Sequence, residues 1–334
     1  MTVSMSPPFD PFKFDRKEAL IIINPVAHNA ESQRRMEQMY LAMQAEGWQI
    51  TWENTSQPGD ALTAAYRAAE QRVPVVFACG GDGTVNEVAN GLAYSESALA
   101  TIPTGTSNIW AREIGLSKKP WEAGLKMIYG ERRQVDMGKA GDRYFLMLAG
   151  FGIDAAVTQS VHLGVKDRVG AAAYVIAAAK EALTWRGKPI AVRIDGVERQ
   201  MDVLMAFVGN TRLYAGITQI TPTAIVNDGR LEVCIYSGQG KRDIVAHAAR
   251  TLLKMHRKSE KVFYRRARRI EFDWIEPLPV QLDGDPLSDC PREVVVAPGS
   301  LWVVVPRGFT SPLFGQPEGL EHAEELNLPQ PQTG

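Results

Sequence analysis

The sequence predicts an α/β N-terminal domain with a mostly parallel sheet, followed by a β-rich, antiparallel second half. Up to about Ile128, short apolar runs alternate with loops and helix-spaced stretches; beyond Gly130, short strand-like segments are punctuated by Asp195-Gly196, Asp228-Gly229 and Asp283-Gly284 turns. The 334 residues suggest two domains, each large enough to bury a core.

The first domain reads as follows. Leu20 to Ile23 is a buried strand. Met36, Met39, Tyr40 and Met43 fall at i, i+3, i+4 and i+7, so the following helix carries one apolar stripe. Gln49 to Trp52 is a second strand, 59 to 71 an Ala-rich helix, Val73 to Cys79 a third strand, Thr84 to Ala93 a helix, Leu99 to Ile102 a fourth strand and Ser107 to Ile114 a helix. In the second half, strands are expected over Arg133 to Lys139, Arg143 to Ala149, Ile190 to Ile194, Met201 to Val208, Arg230 to Tyr236, Val262 to Tyr264, Ile270 to Trp274, Pro279 to Leu282, Glu293 to Ala297 and Leu301 to Val305. Two helices, Asp167 to Trp185 and Arg242 to Lys258, interrupt them. The boundary falls between about 130 and 141, giving domains of 16–135 and 136–306 and a C-terminal segment, 307–334, that packs partly on the first domain and ends mobile. No internal repeat is present.

Composition narrows the function. With 45% hydrophobic and 22% charged residues the chain is an ordinary folded protein. Lys plus Arg is 37 against 38 Asp plus Glu, which leaves no global field for a polyanion, so nucleic acid is not an expected partner. Three cysteines without a CxxC pair support neither a disulfide framework nor a zinc site and suit a reducing compartment. The start lacks the apolar core of a secretory signal, and the longest near-apolar run, Gly170 to Ala179, falls short of the roughly 20 residues that span a bilayer. A cytoplasmic protein is expected.

The sharpest chemical signal is Cys79-Gly80-Gly81-Asp82-Gly83-Thr84-Val85-Asn86-Glu87, between an apolar strand and a helix. Its glycines let backbone N–H groups approach a ligand. Thr84 and Glu87 have the spacing of a capping box, which would start the helix there and aim its positive end at the loop. Asp82 would repel a phosphate unless a divalent cation lies between them, so a metal-nucleotide pair is implied. The plain alternative is a tight turn without ligand. Pro103-Thr104-Gly105-Thr106-Ser107-Asn108 repeats the logic at the next junction, and Asn24-Pro25-Val26-Ala27-His28 and Thr55 follow the first two strands at the same sheet edge.

Other fingerprints fail. There is no GxxxxGK[ST], no HExxH and no GxSxG. Gly150-Phe151-Gly152-Ile153-Asp154-Ala155 fits GxGxxA but opens no clear helix, and reads as a close backbone approach. Gln281-Leu282-Asp283-Gly284-Asp285 sets two carboxylates about a glycine, on one side if the strand persists; a hairpin turn is the plain alternative. Asp136 lies in a strand-like run, where a cation contact or a solvent-facing position would explain it. Asn227-Asp228-Gly229 reads as a turn first and a cation site second.

These residues, in this order from about Ala19 to Arg307, resemble the diacylglycerol-kinase catalytic-domain family, which includes bacterial lipid kinases and sphingosine kinases. The match covers Ile23-Asn24-Pro25, Gly80 to Val88, Pro103 to Asn108 with Ala111-Arg112, Val135-Asp136, Gly150 to Asp154, Asn227 to Gly229 and Asp283 to Asp285. The resemblance implies an NAD-kinase-like α/β domain, a C-terminal antiparallel β-sandwich and an active cleft between them. It implies ATP and Mg2+ as cofactors, with Asn24, Pro25, Val26, Ala27, His28, Thr55, Gly80, Gly81, Asp82, Gly83, Thr84, Val85, Asn86, Glu87 and Thr106 as the ATP-binding set. Asp283 matches the general base and Asp285 a nucleotide-site acid. Asp82 and Asp136 look like magnesium-linked acids, and Asp228, with carbonyls such as those of Ile225 and Arg230, like a structural cation site. Three positions depart from the family pattern: His28 replaces Gly, Asp285 the longer Glu, and Ile109 an acid.

The function this implies is phosphorylation of a hydroxyl on diacylglycerol or a related lipid. A soluble-substrate kinase of the NAD-kinase type and a non-catalytic nucleotide-sensing regulator are the rivals. A lipid substrate must be reached at a membrane surface. The basic stretch from Lys254 to Arg269, with Met255, Phe263 and Tyr264 interleaved, suits peripheral docking, against the alternative of a solvated face. A homodimer is compatible with the sequence.

Overall fold

Apolar runs in the first third build a parallel sheet. In the computed structural model, which describes residues 16–25, 30–164, 184–216 and 218–315, β1 (Glu18–Ile23) lies between β2 (Gln49–Asn54) and β3 (Val75–Gly80), and β4 (Ala98–Pro103) follows β3. All these pairings are parallel. β3 and β4 are buried at every position, as strands covered on both faces must be. The layers over them come from α1 (Ala30–Ala45), α2 (Asp60–Glu70), α3 (Asp82–Gly91), α4 (Ile109–Glu113) and α5 (Pro120–Ile128). Met39 and Met43 of the predicted stripe are fully buried. Helix α5 has no counterpart in the sequence reading; its nine residues are too few for a stripe to stand out, although Pro120 marks its first turn.

The second half is antiparallel. β5 (Glu131–Ala140), β6 (Arg143–Phe145), β7 (Leu148–Gly152), β8 (Lys188–Ile194), β9 (Val197–Gly209), the small hairpin of β10 (Leu213–Tyr214) and β11 (Thr218–Gln219), β12 (Leu231–Ser237), β13 (Val262–Ala267), β14 (Arg269–Asp273), β15 (Val280–Leu282), β16 (Asp285–Leu287) and β17 (Glu293–Val305) make up the sandwich. Its core holds Phe151, Phe272 and Trp274, with the first two rings 4.6 Å apart. Asp195-Gly196 and Asp283-Gly284 both sit at positive φ, 47° and 85°, 51° and 94°, and connect β8 to β9 and β15 to β16 as two-residue hairpins.

β17 ties the two parts together. It pairs with β5 along its length, its start pairs with β14, and Trp302 and Val303 pair parallel with β4. The sequence reading splits this strand because Pro298-Gly299-Ser300 looks like a turn; the fold absorbs those residues as an irregularity between Ala297 and Leu301. Leu301 to Val305 therefore belong to the first core, where Leu313 and Phe314 of the C-terminal segment also pack.

Two helical expectations change. Helix α6 (Ile153–Gly164) starts directly at the end of β7, so the Gly150 to Asp154 stretch does open a helix. The close approach is also present: at Gly152, φ +84°, a Cβ would fall 2.5 Å from the Leu204 carbonyl oxygen. Because β7 lies antiparallel between β9 and β15, the motif is not part of a βαβ unit. The second expected helix ends earlier, at Leu252, giving α7 (Lys241–Leu252); Lys254 then turns left-handed at φ 55° and a single 3-10 turn, His256–Lys258, follows. The expected helix from Asp167 lies outside the described residues except at its end.

Candidate active site

The glycine loop is shaped by close backbone packing. Gly81, extended at φ −90° and ψ −171°, is the N-cap of α3, which begins at Asp82 and not at Thr84. A Cβ on Gly80 would fall 2.3 Å from Thr84 Oγ1, and one on Gly105 would fall 2.5 Å from the Gly81 Cα. Two loops from neighbouring parallel strands thus touch through their glycines, with the Thr104 N–H donating to the Gly80 carbonyl over 3.0 Å. The first N–H groups of α3 have no partner inside the helix and carry its positive end. They face the same edge as Asn24, whose Nδ2 lies 3.5 Å from Thr84 Oγ1, and Thr55, whose N–H donates to the Ile23 carbonyl. Pro25 and Thr106 are exposed at that edge. Val26, Ala27 and His28 lie outside the described residues.

The capping box does not form. No side chain caps α3, and Glu87 reaches across to α2, accepting from the N–H groups of Gly59 at 3.0 Å and Ala61 at 3.1 Å. The helix starts two residues ahead of Thr84, at Asp82, with Gly81 extended as its N-cap. Glu87 meets the free N–H groups at the start of α2 and caps that helix. Val85 likewise turns its side chain into the first core.

Asp82 caps α4. Its Oδ1 accepts from the Ile109 N–H at 2.7 Å and the Trp110 N–H at 3.4 Å, so the residue that replaces an acid in the family pattern serves here through its backbone. Burial pushes the Asp82 carboxyl up to about 6, opposed by these N–H groups and the Arg112 charge.

From the second half, the β15–β16 hairpin brings Asp283 to this loop. Asp283 Oδ2 accepts from Asn86 Nδ2 of α3 at 2.7 Å and from the Leu146 N–H at 2.8 Å, while Oδ1 accepts from the Met147 and Leu148 N–H groups at 2.9 and 2.8 Å. Burial is the largest influence and raises its pKa to about 6, against the pull of those hydrogen bonds. The strand does not persist through Gly284, and the two carboxylates meet different residues of α3, Asp283 the Asn86 side chain and Asp285 the Gly83 end. Asp285 faces Gly83, where a Cβ would fall 3.8 Å from its Oδ1, and Arg143 lies 3.8 Å away.

Several residues here escape the sequence reading. Asn90, one turn after Asn86, bonds the Tyr144 backbone in both directions and fastens α3 to β6. Gln281 accepts from the Gly284 N–H at 2.7 Å and donates to Asp154 Oδ2 at 3.0 Å, and the Tyr214 hydroxyl donates to the other Asp154 oxygen. This chain braces the turn that carries Asp283. The i, i+4 spacing of Asn86 and Asn90 on one helix face was the available signal for the first; the second depends on contacts across the fold.

Asp136 and Asp228 go elsewhere. Asp136 is buried on β5 and accepts from the Gly229 N–H at 2.6 Å and the Gly299 N–H at 2.7 Å, which ties it to the Asn227–Gly229 turn. In that turn the Asp228 carboxylate pairs with Arg266 and accepts from the Arg230 N–H at 3.0 Å, and Ile225 is buried. Among the described residues no three His, Cys, Asp or Glu side chains cluster to hold a metal.

A helix N-terminus lined by glycine, set across from acids on a separate β-rich lobe, defines a two-lobed phosphotransferase. Comparison with known proteins gives the family. Residues 18–140 match the diacylglycerol kinase catalytic domain, and 148–305 match the YegS C-terminal NAD kinase beta sandwich-like domain. The chain is similar to proteins named diacylglycerol kinase from Bacillus subtilis, 28% identical over 87% of this chain and 97% of that one, and from Staphylococcus saprophyticus, 30% identical over 81% and 89%. A crystal structure of a diacylglycerol kinase from Bacillus anthracis superposes with a TM-score of 0.69 at 21% identity, covering 89% of this chain and 100% of that one. The chain belongs to the diacylglycerol kinase catalytic-domain family of lipid kinases, and membership of a kinase family implies ATP as the phosphoryl donor.

Proposed function

We propose that this protein is an ATP- and magnesium-dependent lipid kinase that transfers the γ-phosphoryl group to a hydroxyl of diacylglycerol or a related glycerolipid, with Asp283 as general base. The observation that carries this reading is the direct contact of Asn86 with Asp283 at 2.7 Å, which sets the acid of one lobe against the phosphate-binding helix of the other. Donor and acceptor would meet there.

The α3 N–H groups and the glycines hold the phosphates, and charge stabilisation by such fixed donors is the largest contribution expected at a site of this kind. Asp283 has its lone pairs filled by one side-chain and three backbone donors. Asn86 Nδ2 is the donor that a substrate hydroxyl displaces, since it can swing aside without breaking backbone. The hydroxyl proton then passes to Asp283 Oδ2 as the oxygen attacks, and the turn held by Gln281 keeps the base in place. Asp285 and Arg143, beside Gly83, order the phosphate side of the gap. Magnesium fits Asp82: the carboxylate stands at the N-terminus of α3 beside the proposed phosphate site, and Mg2+ needs only one or two carboxylates beside phosphates and water. When bound, the ion neutralises charge on the transferring group.

The test is transfer of labelled γ-phosphate from ATP into diacylglycerol in mixed micelles. Label entering a product of phosphatidic-acid mobility supports the reading. ATP binding without any labelled lipid, from diacylglycerol or a total lipid extract, would sink it.

A further inference from the structure

Asp283 is held by three consecutive backbone N–H groups, and three such groups cannot face one way in a strand, where successive residues alternate. The chain breaks its strand to aim them: β6 ends at Phe145, β7 starts at Leu148, and neither includes Leu146 and Met147. A bend that points its N–H groups at one acceptor turns its carbonyls the other way, and carbonyls in a buried segment need donors of their own. Leu146 and Met147 are both buried.

Asn210 meets both of them. β7 pairs with β9 so that Leu148 stands opposite Gly209, which sets Asn210, the first residue beyond β9, against the bend. Its Nδ2 donates to the Leu146 carbonyl and to the Asp136 carbonyl of β5, each at 2.8 Å. Its backbone N–H donates to the Met147 carbonyl at 2.8 Å, joined by the Thr211 N–H at 3.1 Å. The Leu146 carbonyl and the Met147 N–H are two ends of one planar peptide unit, as are the Met147 carbonyl and the Leu148 N–H. Those are the two N–H groups on Asp283 Oδ1. The Leu146 N–H, on Oδ2, belongs to a unit whose carbonyl is that of Phe145, in the β5–β6 ladder.

Asn210 is fully buried, yet its Oδ1 takes no hydrogen bond among the described residues. Two carbonyls beside Nδ2 fix the orientation of the amide, so the orphaned atom is the oxygen. A buried acceptor without a partner costs stability that a Leu of similar size would spare, so the NH2 bonds are what the site gains from Asn. We propose that Asn210 positions the base: through two peptide units it clamps Asp283 Oδ1 and leaves Oδ2, faced by the displaceable Asn86 amide, as the oxygen that takes the proton of the lipid hydroxyl. A peptide whose carbonyl accepts a hydrogen bond donates more strongly at its N–H, so losing the Asn210 amide both frees the bend and weakens the hold on Oδ1.

This rests on Asp283 as the base, and the experiment separates the two. In the full chain, Asn210→Leu removes the side-chain bonds and keeps the backbone one. Its kcat for label transfer into diacylglycerol should fall at least about tenfold, with KM for ATP within about twofold of the parent. Asn210→Ser, which keeps one donor, should fall between. On an Asp283→Asn background, Asn210→Leu should lower kcat by less than about twofold, because the group it acts through is gone. The readout independent of activity is the 13C carboxyl signal of labelled Asp283, identified by its absence from Asp283→Asn; Asn210→Leu should move its titration midpoint up by about one pH unit. An equal fall in kcat on both backgrounds, or loss of folding in both Asn210 variants, would overturn the proposal and leave Asn210 a structural residue. A parent-like titration beside an inactive Asp283→Asn would sink the clamp alone, whereas parent-like transfer by Asp283→Asn beside a shifted titration would sink the base and keep the clamp.

Discussion

Replacing Asp283 by Asn removes the proton acceptor while keeping its shape. General-base catalysis contributes about 100- to 10,000-fold, so kcat should fall by that factor at pH 7.5, roughly 3 to 5.5 kcal/mol on the barrier. The amide also sets an NH2 against two of the four donors that hold the carboxylate, Asn86 with Leu146 or Met147 with Leu148, at about 1–3 kcal/mol for each unsatisfied group. That loss is partly offset because a charge need no longer be buried. ATP affinity should stay within a few fold, since the proposed phosphate site lies on α3.

The pH dependence separates a base from a merely structural acid. Burial raises the Asp283 carboxyl from 3.8 to about 6, and the base works only when ionised. In the parent, kcat/KM should be level above about pH 6.5 and fall tenfold per pH unit below about 6. Stability runs the other way. The folded state holds this proton more tightly than the unfolded one, so raising the pH from about 4 to 6 costs on the order of 3 kcal/mol, with no further loss above. The variant should lose the Asp283 share of both inflections and keep that of Asp82, whose carboxyl burial also pushes up to about 6. Initial rates of label transfer across about pH 5 to 8 and thermal unfolding across about pH 4 to 8 measure them. A variant that phosphorylates within about threefold of the parent refutes the assignment of the base.

Three further changes test the framework. Gly105→Ala would set a methyl 2.5 Å from the Gly81 Cα, costing about 1–3 kcal/mol and parting the two loops; calorimetry should show ATP affinity down at least about tenfold, and unchanged affinity would count against a shared loop site. Glu87→Gln weakens the cap of α2 by about 1–2 kcal/mol, so Tm should drop by roughly 2–6 °C with KM for ATP unchanged, whereas a tenfold rise in KM would return Glu87 to the nucleotide set. Gln281→Leu leaves the Gly284 N–H and Asp154 Oδ2 without their partner; kcat should drop about tenfold or more with ATP binding intact, and a normal kcat would show that the turn needs no brace.

How much was legible in the sequence followed the range of the interactions involved. β3 and β4 could be read because burial on both faces leaves an unbroken apolar run, and Met39 and Met43 because a helix repeats its buried face every turn. Motifs in order were enough for the family and the fold class. Partners were another matter. Thr84 and Glu87 have capping-box spacing, yet Gly81 starts the helix early and Glu87 finds better donors on α2; Asp136 meets Gly229, 93 residues along the chain, and no local pattern encodes such a meeting.

Asp283-Gly284 shows why the two readings of one motif were wrongly opposed. The pair was weighed as either a hairpin connector or a catalytic acid. At φ 51° and 94° it is a hairpin connector, and that backbone turns the Asp283 side chain inward to the Leu146–Leu148 N–H groups and Asn86 while releasing Asp285 toward Gly83. A regular strand would have put both acids on one face, in like-charge conflict and beyond the reach of three convergent N–H donors. The tight turn is therefore what allows one carboxylate to be buried beside α3 and the other to remain at its mouth, so local turn chemistry and the placement of the proposed base are a single requirement on the same two residues.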